Sequence, residues 1–382
     1  MSAILLVGWR PEAIEAARAL GLEPRVLEPG RPGEVPARRE EAILRAAADP
    51  DSPEDILRAG AALTGDGAVV AVVALTEGAV PVAARVRTAL GLPGVTPETA
   101  EWSHEKLAMK IRIASAGIPC APFEEIGSDT RADELVARLG VPVVVKQRAS
   151  SGGRGTVVAH DVISLGAALR PGWLAEGFVR GVEMSVETFV VDGEIVFLNP
   201  TEYLVPGVAN IVPAPLDAER LAALRAFVDR VHRALGIERG MTHTELFVGE
   251  DGLVFGEIAI RPPGGLLMAL IGRVYGFDAW RALLEVEMGR RPALPETPHG
   301  AAGVWFLHPG AGRVATVEGL EAAAAMPGVV EVRCGLIPGR RVRERIGTGQ
   351  SVGRVVAVGA DRDEVAARLL PAVDSIRIEL AH

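Results

Sequence analysis

The N-terminal part of the chain alternates short apolar runs with alanine-rich runs of helical periodicity. Residues 3–7 (AILLV) form an apolar run of strand length, and residues 11–20 follow with alanine and leucine at helical spacing. Residues 68–75 and 80–90 repeat this order. Strand–helix alternation is typical of a parallel sheet covered by helices. We therefore predict a small parallel α/β unit over residues 1–95.

The same alternation occurs in the dinucleotide-binding domains of nicotinamide-dependent oxidoreductases. Those domains place a glycine-rich G-x-G-x-x-G turn after the first strand. Here residues 8–11 are Gly-Trp-Arg-Pro, with a single glycine. An oxidoreductase remains an alternative that only the strand–helix order supports.

Composition and charge argue against several classes of protein. A length of 382 residues corresponds to two or three domains of about 100–200 residues each. Apolar residues make up 49% of the chain, which is enough for packed cores. The net charge is −9 and no cluster of basic residues is present, so no nucleic-acid partner is expected.

The sequence shows no targeting or membrane-spanning pattern. The run at 68–75 is much shorter than the roughly 20 apolar residues of a membrane helix. Residues 1–8 lack a basic n-region, which favours a buried strand over a signal peptide. Cys120 and Cys334 form no metal spacing and no disulfide framework. We expect a cytoplasmic protein without a membrane partner.

Two proline-rich stretches, residues 92–97 and 292–298, are predicted to separate the segments of the chain. The middle segment contains a predicted helix over 98–116 and a predicted buried strand over 141–146. Further strands are predicted at 173–176, 184–191, 194–198, 244–248 and 253–258, and further helices at 216–235, 266–274 and 278–288. The tail from residue 300 alternates apolar runs with turns, which predicts a small α+β domain.

Lysine is scarce in this chain, because only Lys106, Lys110 and Lys146 are found among its 40 basic residues. A lysine that persists in an arginine-rich chain is a candidate for a site that needs a compact ammonium group. Such a point charge suits a phosphate oxygen in a narrow pocket. A surface position is the alternative for each of the three.

A glycine-rich segment follows Lys146 at the end of its predicted strand. It contains Ser150, Ser151, Gly152, Gly153 and Gly155. Glycines let backbone N–H groups approach phosphates closely, and serine hydroxyls add donors. The segment is not a Walker A loop, because no G-K-[ST] follows the glycines. An ordinary hairpin turn is the alternative interpretation.

A second candidate binding segment lies thirty residues after Lys146. It contains Glu176, Gly177, Phe178, Val179 and Glu183. The backbone at a strand end can pair with an adenine edge, and a carboxylate several residues later can accept ribose hydroxyls. Two glutamates at a solvated strand edge would give the same pattern.

Two glutamates, Glu245 and Glu257, lie on predicted strands joined by a turn at residues 250–252. A hairpin of this length can bring both carboxylates to one cleft, where their mutual repulsion implies a bound cation. Oxygen ligands without cysteine or histidine favour Mg²⁺. Arg261 could stabilise a developing oxyanion, and Gly264 and Gly265 precede a helix-like run whose start could bind an anion. Two solvated glutamates are the alternative.

In this order the motifs resemble the ATP-grasp superfamily of carboxylate–amine ligases. The segments 240–245 (GMTHTE) and 257–265 (EIAIRPPGG) are most similar to its L-amino acid (dipeptide) ligase branch. The resemblance implies a multidomain fold of α/β and α+β parts. A Rossmann-like pre-ATP-grasp domain would cover 1–95, and an ATP-grasp domain 96–295 with a mobile lid at about 118–176. A small α+β domain would cover 296–382.

The resemblance also implies a role for each motif. Lys106 and Lys146 would bind ATP phosphates under the loop of residues 150–155. Residues 176–179 would face adenine, Glu183 would bind ribose, Glu245 and Glu257 would hold Mg²⁺, and Arg261 with Gly264 would face the acyl phosphate. Lys110 matches no such contact and is predicted at the surface. His243, Asn210, Arg261 and Gly265 are candidate substrate residues, and His243 is also a candidate general base.

The implied activity is ATP-dependent joining of a carboxylate to an amine through an acyl phosphate. Small-molecule substrates, ATP and Mg²⁺ are expected. The oligomeric state stays open, although dimers are common in the superfamily. An ATP-grasp carboxylase or acyl-thiol ligase is an alternative. A nucleotide-binding regulator without turnover is another, because Ala259 stands where the superfamily usually has a metal-binding asparagine.

Overall fold

The computed structural model describes residues 2–31, 43–64, 69–250 and 252–381. The first unit comprises β1 (Ala3–Val7), α1 (Pro11–Ala19), β2 (Glu23–Pro29), β3 (Leu44–Ala48), α2 (Pro53–Thr64), β4 (Val69–Ala74) and α3 (Ala79–Ala89). Its four strands are parallel, in the order β3-β2-β1-β4. Alternate residues of β1 enter two different hydrophobic clusters, one on each face of the sheet. The predicted parallel α/β unit is confirmed, although Ala68 lies outside the described residues.

Two helices, α4 (Pro97–His104) and α5 (Lys106–Ser115), replace the single helix predicted over 98–116. The chain is extended at Glu105, with φ −98° and ψ 110°. The Glu105 carboxylate accepts hydrogen bonds from the backbone N–H groups of Leu107 and Ala108, and so caps α5. It also binds the Arg148 guanidinium at 2.8 Å. The prediction was wrong here because a capping glutamate resembles any other helical glutamate in sequence.

A small sheet with its own hydrophobic cluster follows. Its elements are β5 (Phe123–Glu125), α6 (Ala132–Leu139), β6 (Val143–Lys146), β7 (Val157–Ala159), α7 (Val162–Ala168) and β8 (Leu174–Gly177). The strands are antiparallel, in the order β5-β8-β6-β7. Leu135, Val143, Val145 and Leu165 are completely buried between this sheet and its helices. The glycine-rich segment connects β6 to β7 at one end of the sheet.

The largest sheet begins with the strands that carry the acidic motifs. The elements are β9 (Val182–Val191), β10 (Glu194–Val205), β11 (Ala209–Val212), α8 (Ala218–Leu235), β12 (Arg239–Gly249), β13 (Gly252–Ala259), α9 (Leu267–Tyr275) and α10 (Ala279–Glu287). Strand β9 lies between β10 and β12, and all these pairings are antiparallel. Strand β10 extends well beyond the predicted 194–198, because its second half pairs with both β9 and β11.

The C-terminal strands continue this sheet. The tail comprises β14 (Ala301–Leu307), β15 (Gly312–Glu318), α11 (Leu320–Ala324), β16 (Val329–Cys334), β17 (Arg341–Val342), β18 (Gly353–Gly359), α12 (Arg362–Asp374) and β19 (Arg377–Ala381). Pairing of β11 with β14 produces the eight-strand order β13-β12-β9-β10-β11-β14-β18-β16. Strands β17, β15 and β19 form a separate three-stranded sheet. The mixed α/β architecture is as predicted, but the tail shares a sheet with the preceding segment.

A loop of the tail also contacts the glycine-rich segment. The Thr348 backbone N–H donates to the Gly152 carbonyl oxygen at 3.0 Å. Arg345 donates hydrogen bonds to the carbonyl oxygens of Gly207 and Thr348. The loop therefore joins the glycine-rich segment to the turn between β10 and β11. Over the described part of the chain, no helix is long and apolar enough to cross a membrane.

We expect Glu105→Ala to lower the free energy of unfolding by about 1–2 kcal/mol, since it removes a helix cap and a partly exposed ion pair. Chemical denaturation monitored by circular dichroism measures the change. Asp217→Ala is the matched control, because Asp217 caps α8 through the Arg220 N–H at 2.8 Å. A loss in Glu105→Ala no larger than in this control would contradict a structural contribution from the pair with Arg148.

Candidate active site

The hairpin of β12 and β13 places Glu245 directly opposite Glu257 in the antiparallel register. Both side chains line one cleft. Burial raises the pKa of Glu257. Burial acts in the same direction on Glu245, but the neighbouring His243 outweighs it and holds the pKa of Glu245 below its usual value. The predicted pairing of two carboxylates at one cleft is therefore present.

Lys110 and Lys146 line this cleft, and Lys106 contacts one of its glutamates. Lys106 Nζ is 2.9 Å from Glu257 Oε1 and donates to the Ser150 carbonyl oxygen at 2.7 Å. Lys146 Nζ is 3.0 Å from Glu176 Oε1. Lys110 Nζ is 3.4 Å from the second oxygen of Glu176.

The predicted surface position of Lys110 is wrong, because only 2% of this residue is exposed. Lys110 follows Lys106 by one helical turn, so both side chains project from the same face of α5. That spacing, together with the scarcity of lysine, was the available signal in the sequence.

The predicted adenine segment forms one wall of the cleft. Glu176, Gly177, Phe178, Val179 and Glu183 all line it. Ala121, Val144, Phe247 and Phe255 add apolar surface, which suits a planar base held by a few polar groups. The Gly177 and Phe178 N–H groups donate to the carbonyl oxygens of Pro122 and Pro142. Val179, the next residue, also lines the cleft.

Glu183, which also lines the cleft, has a raised pKa. Burial, and next the negative charge of Glu245, raise its pKa to about 7. Its side chain is thus poised between the ionised and the protonated form near neutral pH. Its predicted contact with ribose remains a prediction.

The glycine-rich segment has the backbone conformation that its residues allow. Gly152, Gly153 and Gly155 have φ values of 66°, 72° and 71°, in the left-handed region that favours glycine. Ser150 and Ser151 are partly buried at its start. Since Ser150 accepts from Lys106 and the Lys106 N–H donates to the Arg148 carbonyl oxygen at 2.9 Å, the segment is anchored to the start of α5.

His243 is held between two carboxylates. Its Nδ1 is 2.8 Å from Glu187 Oε1, and its Nε2 is 3.4 Å from Glu245 Oε1. Burial alone would lower the pKa of His243, but these two hydrogen bonds outweigh it and raise the pKa to about 9. The Tyr203 hydroxyl donates to the same Glu245 oxygen at 3.2 Å. A protonated imidazole engaged at both nitrogens is a poor general base near neutral pH.

Glu187 is a buried anchor that sequence reasoning missed. It is completely buried and accepts from Ser185 Oγ at 2.7 Å, Thr201 Oγ1 at 2.6 Å and Asn199 Nδ2 at 2.9 Å. Every oxygen of this carboxylate is therefore satisfied. The available signal was the alternation of Glu183, Ser185 and Glu187, which places all three on one face of β9.

Arg261, two residues after the end of β13, binds a glutamate of the first unit. Its Nε donates to Glu77 Oε2 at 2.7 Å, and Glu77 Oε1 is 3.0 Å from His104 Nδ1. Glu77 was also missed. It follows β4 at the carboxyl end of the parallel sheet, where ligand-binding residues of α/β folds collect, and that position was its sequence signal.

The glycines after Arg261 form a tight turn before α9. The helix begins at Leu267, and Leu266 precedes it with φ 63°. Gly265 has a φ of 62°, in the left-handed region that favours glycine, and a Cβ atom at this position would lie 3.0 Å from Asn210 Nδ2. Glycine is therefore favoured there. The structure thus brings together Asn210 and Gly265, two of the candidate substrate residues. Gly264 lies in the same turn with open space beside it.

The residues at the hairpin fit a Mg²⁺ site that is completed by a ligand. Glu245 and Glu257 supply hard oxygen donors, and within the described ranges no group of three or more His, Cys, Asp or Glu side chains gathers to bind a metal. Ala259, opposite His243 in the register, adds no donor. The remaining ligands would have to come from phosphates and water, as is usual for Mg²⁺.

We expect Glu257→Gln to abolish the Mg²⁺ dependence of nucleotide binding and to weaken MgADP binding at least about tenfold, since one of two carboxylate ligands is lost. Isothermal titration of ADP with and without Mg²⁺ measures both effects. Glu250→Gln, an exposed change at the end of the same hairpin, is the control. Retained Mg²⁺ dependence in Glu257→Gln would remove Glu257 from the metal site.

Two family models match this chain. Residues 111–268 match the ATP-grasp domain, and residues 304–381 match the L-amino acid ligase C-terminal domain 2. The first match contains the cleft residues from Ala121 to Glu257 and begins one residue after Lys110. The second contains the C-terminal strands.

Individual proteins give a consistent result. The L-arginine-specific L-amino acid ligase of Bacillus subtilis is 27% identical over 77% of this chain and 76% of its own length. The formate-dependent phosphoribosylglycinamide formyltransferase of Burkholderia pseudomallei is 28% identical over 96% of this chain and 92% of its own. The crystal structure of the L-amino acid ligase from Bacillus licheniformis has a TM-score of 0.81 at 22% identity and covers 100% of this chain and 99% of that one. The chain therefore contains a segment that matches the ATP-grasp domain and a segment that matches the L-amino acid ligase C-terminal domain 2.

Proposed function

We propose that this protein is an ADP-forming ligase that uses ATP and Mg²⁺ to join a carboxylate to an amine, with amino acids as substrates. One observation carries the proposal. Lys146, Glu245 and Glu257 come from separate elements and line one cleft, and Lys106 pairs with Glu257 at 2.9 Å. A buried and a partly buried ammonium group opposite paired carboxylates are suited to a magnesium-bound polyphosphate.

The proposed reaction has two steps. The γ-phosphoryl group passes from ATP to the substrate carboxylate, giving an acyl phosphate and ADP. The amine then attacks the acyl carbon, the C–O bond to phosphate breaks, and inorganic phosphate and a proton leave. Catalysis would rest on positioning and on charge stabilisation, without a covalent bond to the enzyme.

Each part of the cleft has a proposed task. Lys106 and Lys146 bind the phosphates, and the loop of residues 150–155 covers them. Glu245 and Glu257 hold Mg²⁺, which neutralises phosphate charge when bound. Residues 176–179 and Glu183 bind the nucleoside.

The acyl group is proposed to lie near the turn before α9. Arg261 and the Gly264 backbone face the acyl phosphate, and Asn210 and Gly265 contact the substrate. Arg261 is fixed by Glu77 at 2.7 Å, which orients its guanidinium for an anion. His243 is assigned to holding Glu245, because its two nitrogens are already engaged.

A second candidate function is nucleotide binding without turnover. The observation that favours it is Ala259, which leaves the metal site with two protein carboxylates.

A cytoplasmic location and a homodimer are also proposals. The first rests on the use of ATP and on two free cysteines, and sedimentation velocity would test the second.

The test is amine-dependent release of ADP and phosphate from MgATP. Mixtures of L-amino acids are assayed with and without L-arginine, which the Bacillus subtilis relative is named for. Formate is included because the Burkholderia relative is named as formate-dependent. Mass spectrometry identifies the product, and we expect an amide bond with one phosphate released per bond.

Two results would contradict the ligase. Tight MgATP binding with no turnover under any mixture would favour the regulator. Bicarbonate- or thiol-dependent phosphate release would favour the carboxylase or the acyl-thiol ligase.

Lys146→Arg should reduce turnover by at least about a hundredfold, since a broad guanidinium cannot take the place of a compact ammonium in a buried pocket. Steady-state phosphate release measures this loss. Arg112→Lys, the reverse exchange at an exposed position on α5, is the control and should retain wild-type activity. Near-normal turnover in Lys146→Arg would show that the pocket does not require lysine.

A further inference from the structure

Lys110 is a buried cation in the nucleotide cleft that the proposed mechanism does not use. It is 2% exposed, and its Nζ lies 3.4 Å from Glu176 Oε2 and 5.7 Å from the centre of the Phe255 ring. Both Glu176 and Phe255 line the cleft. Burial of an ammonium group costs free energy unless the group is paired with an opposite charge and hydrogen-bonded.

Glu176 is shared between two lysines. One carboxylate oxygen is 3.0 Å from Lys146 Nζ and the other is 3.4 Å from Lys110 Nζ. Glu176 itself is 5% exposed. Burial alone would raise its pKa, but the charges of Lys110 and then Lys146 outweigh burial and keep the carboxyl ionised.

This sharing matters once a nucleotide enters. A phosphate oxygen that binds Lys146 has to share its single positive charge with Glu176, which is 3.0 Å from the ammonium group. If Lys146 were the single partner, its transfer to phosphate would leave a buried carboxylate without a cation, which is strongly unfavourable. The second ammonium removes that obstacle because it is held by α5, outside the sheet that carries Lys146.

We propose that Lys110 is a positioning residue of the nucleotide site, which retains the charge of Glu176 and thereby frees Lys146 to bind phosphate. This inference rests on the proposed function, since it requires nucleotide in the cleft. It accounts for the third lysine of the chain. A compact ammonium fits between a carboxylate and an aromatic ring where a planar guanidinium would need more width.

The test is a double-mutant cycle of Lys110→Met and Glu176→Gln in the full chain, with MgADP affinity measured by isothermal titration. Lys110→Met should weaken MgADP binding at least about tenfold, because Lys146 stays with Glu176. In the Glu176→Gln background, Lys110→Met should weaken MgADP binding less than about threefold, because no carboxylate competes for Lys146. Arg112→Met, the same kind of change at an exposed position on α5, should bind as the wild type does.

Thermal unfolding without nucleotide separates positioning from a purely structural role. The apo midpoint of Lys110→Met should stay close to that of Arg112→Met, since Lys146 still pairs with Glu176. Wild-type affinity in Lys110→Met, an equal loss in both backgrounds, or an unfolded apo variant would each overturn the inference. A wild-type protein that binds neither ADP nor ATP would instead contradict the proposed function.

Discussion

The candidate site depends on ion pairs between side chains that come from distant parts of the chain. Helix α5 contributes two ammonium groups, the small sheet contributes Lys146 and Glu176, and the hairpin contributes Glu257. Each buried charge is tolerable because another segment neutralises it. The relative placement of helix, small sheet and large sheet is thus coupled to the electrostatics of the cleft.

Local patterns were sufficient for much of the fold. The parallel unit follows from strand–helix alternation, and the opposed Glu245 and Glu257 follow from hairpin spacing. The loop of the glycine-rich segment was also predictable from the sequence, because glycine is the residue that most readily takes positive φ angles. These features depend on residues that are close in sequence.

Long-range contacts were not predictable in the same way. The pairing of β11 with β14 joins segments about ninety residues apart, so the shared sheet could not be inferred from either strand alone. Glu187 and Glu77 are ordinary acidic residues until His243 and Arg261 are brought beside them. Lys110 shows the same limitation, since only the fold reveals which carboxylate it faces.

The contact between Thr348 and Gly152 gives the tail a second significance. The segment proposed to cover the phosphates rests on a loop within the part of the chain that matches the L-amino acid ligase C-terminal domain. Residues about two hundred positions after the glycine-rich segment therefore help to fix the position of this segment. Exchanging this tail for that of a relative would therefore also change the loop on which the proposed phosphate cover rests.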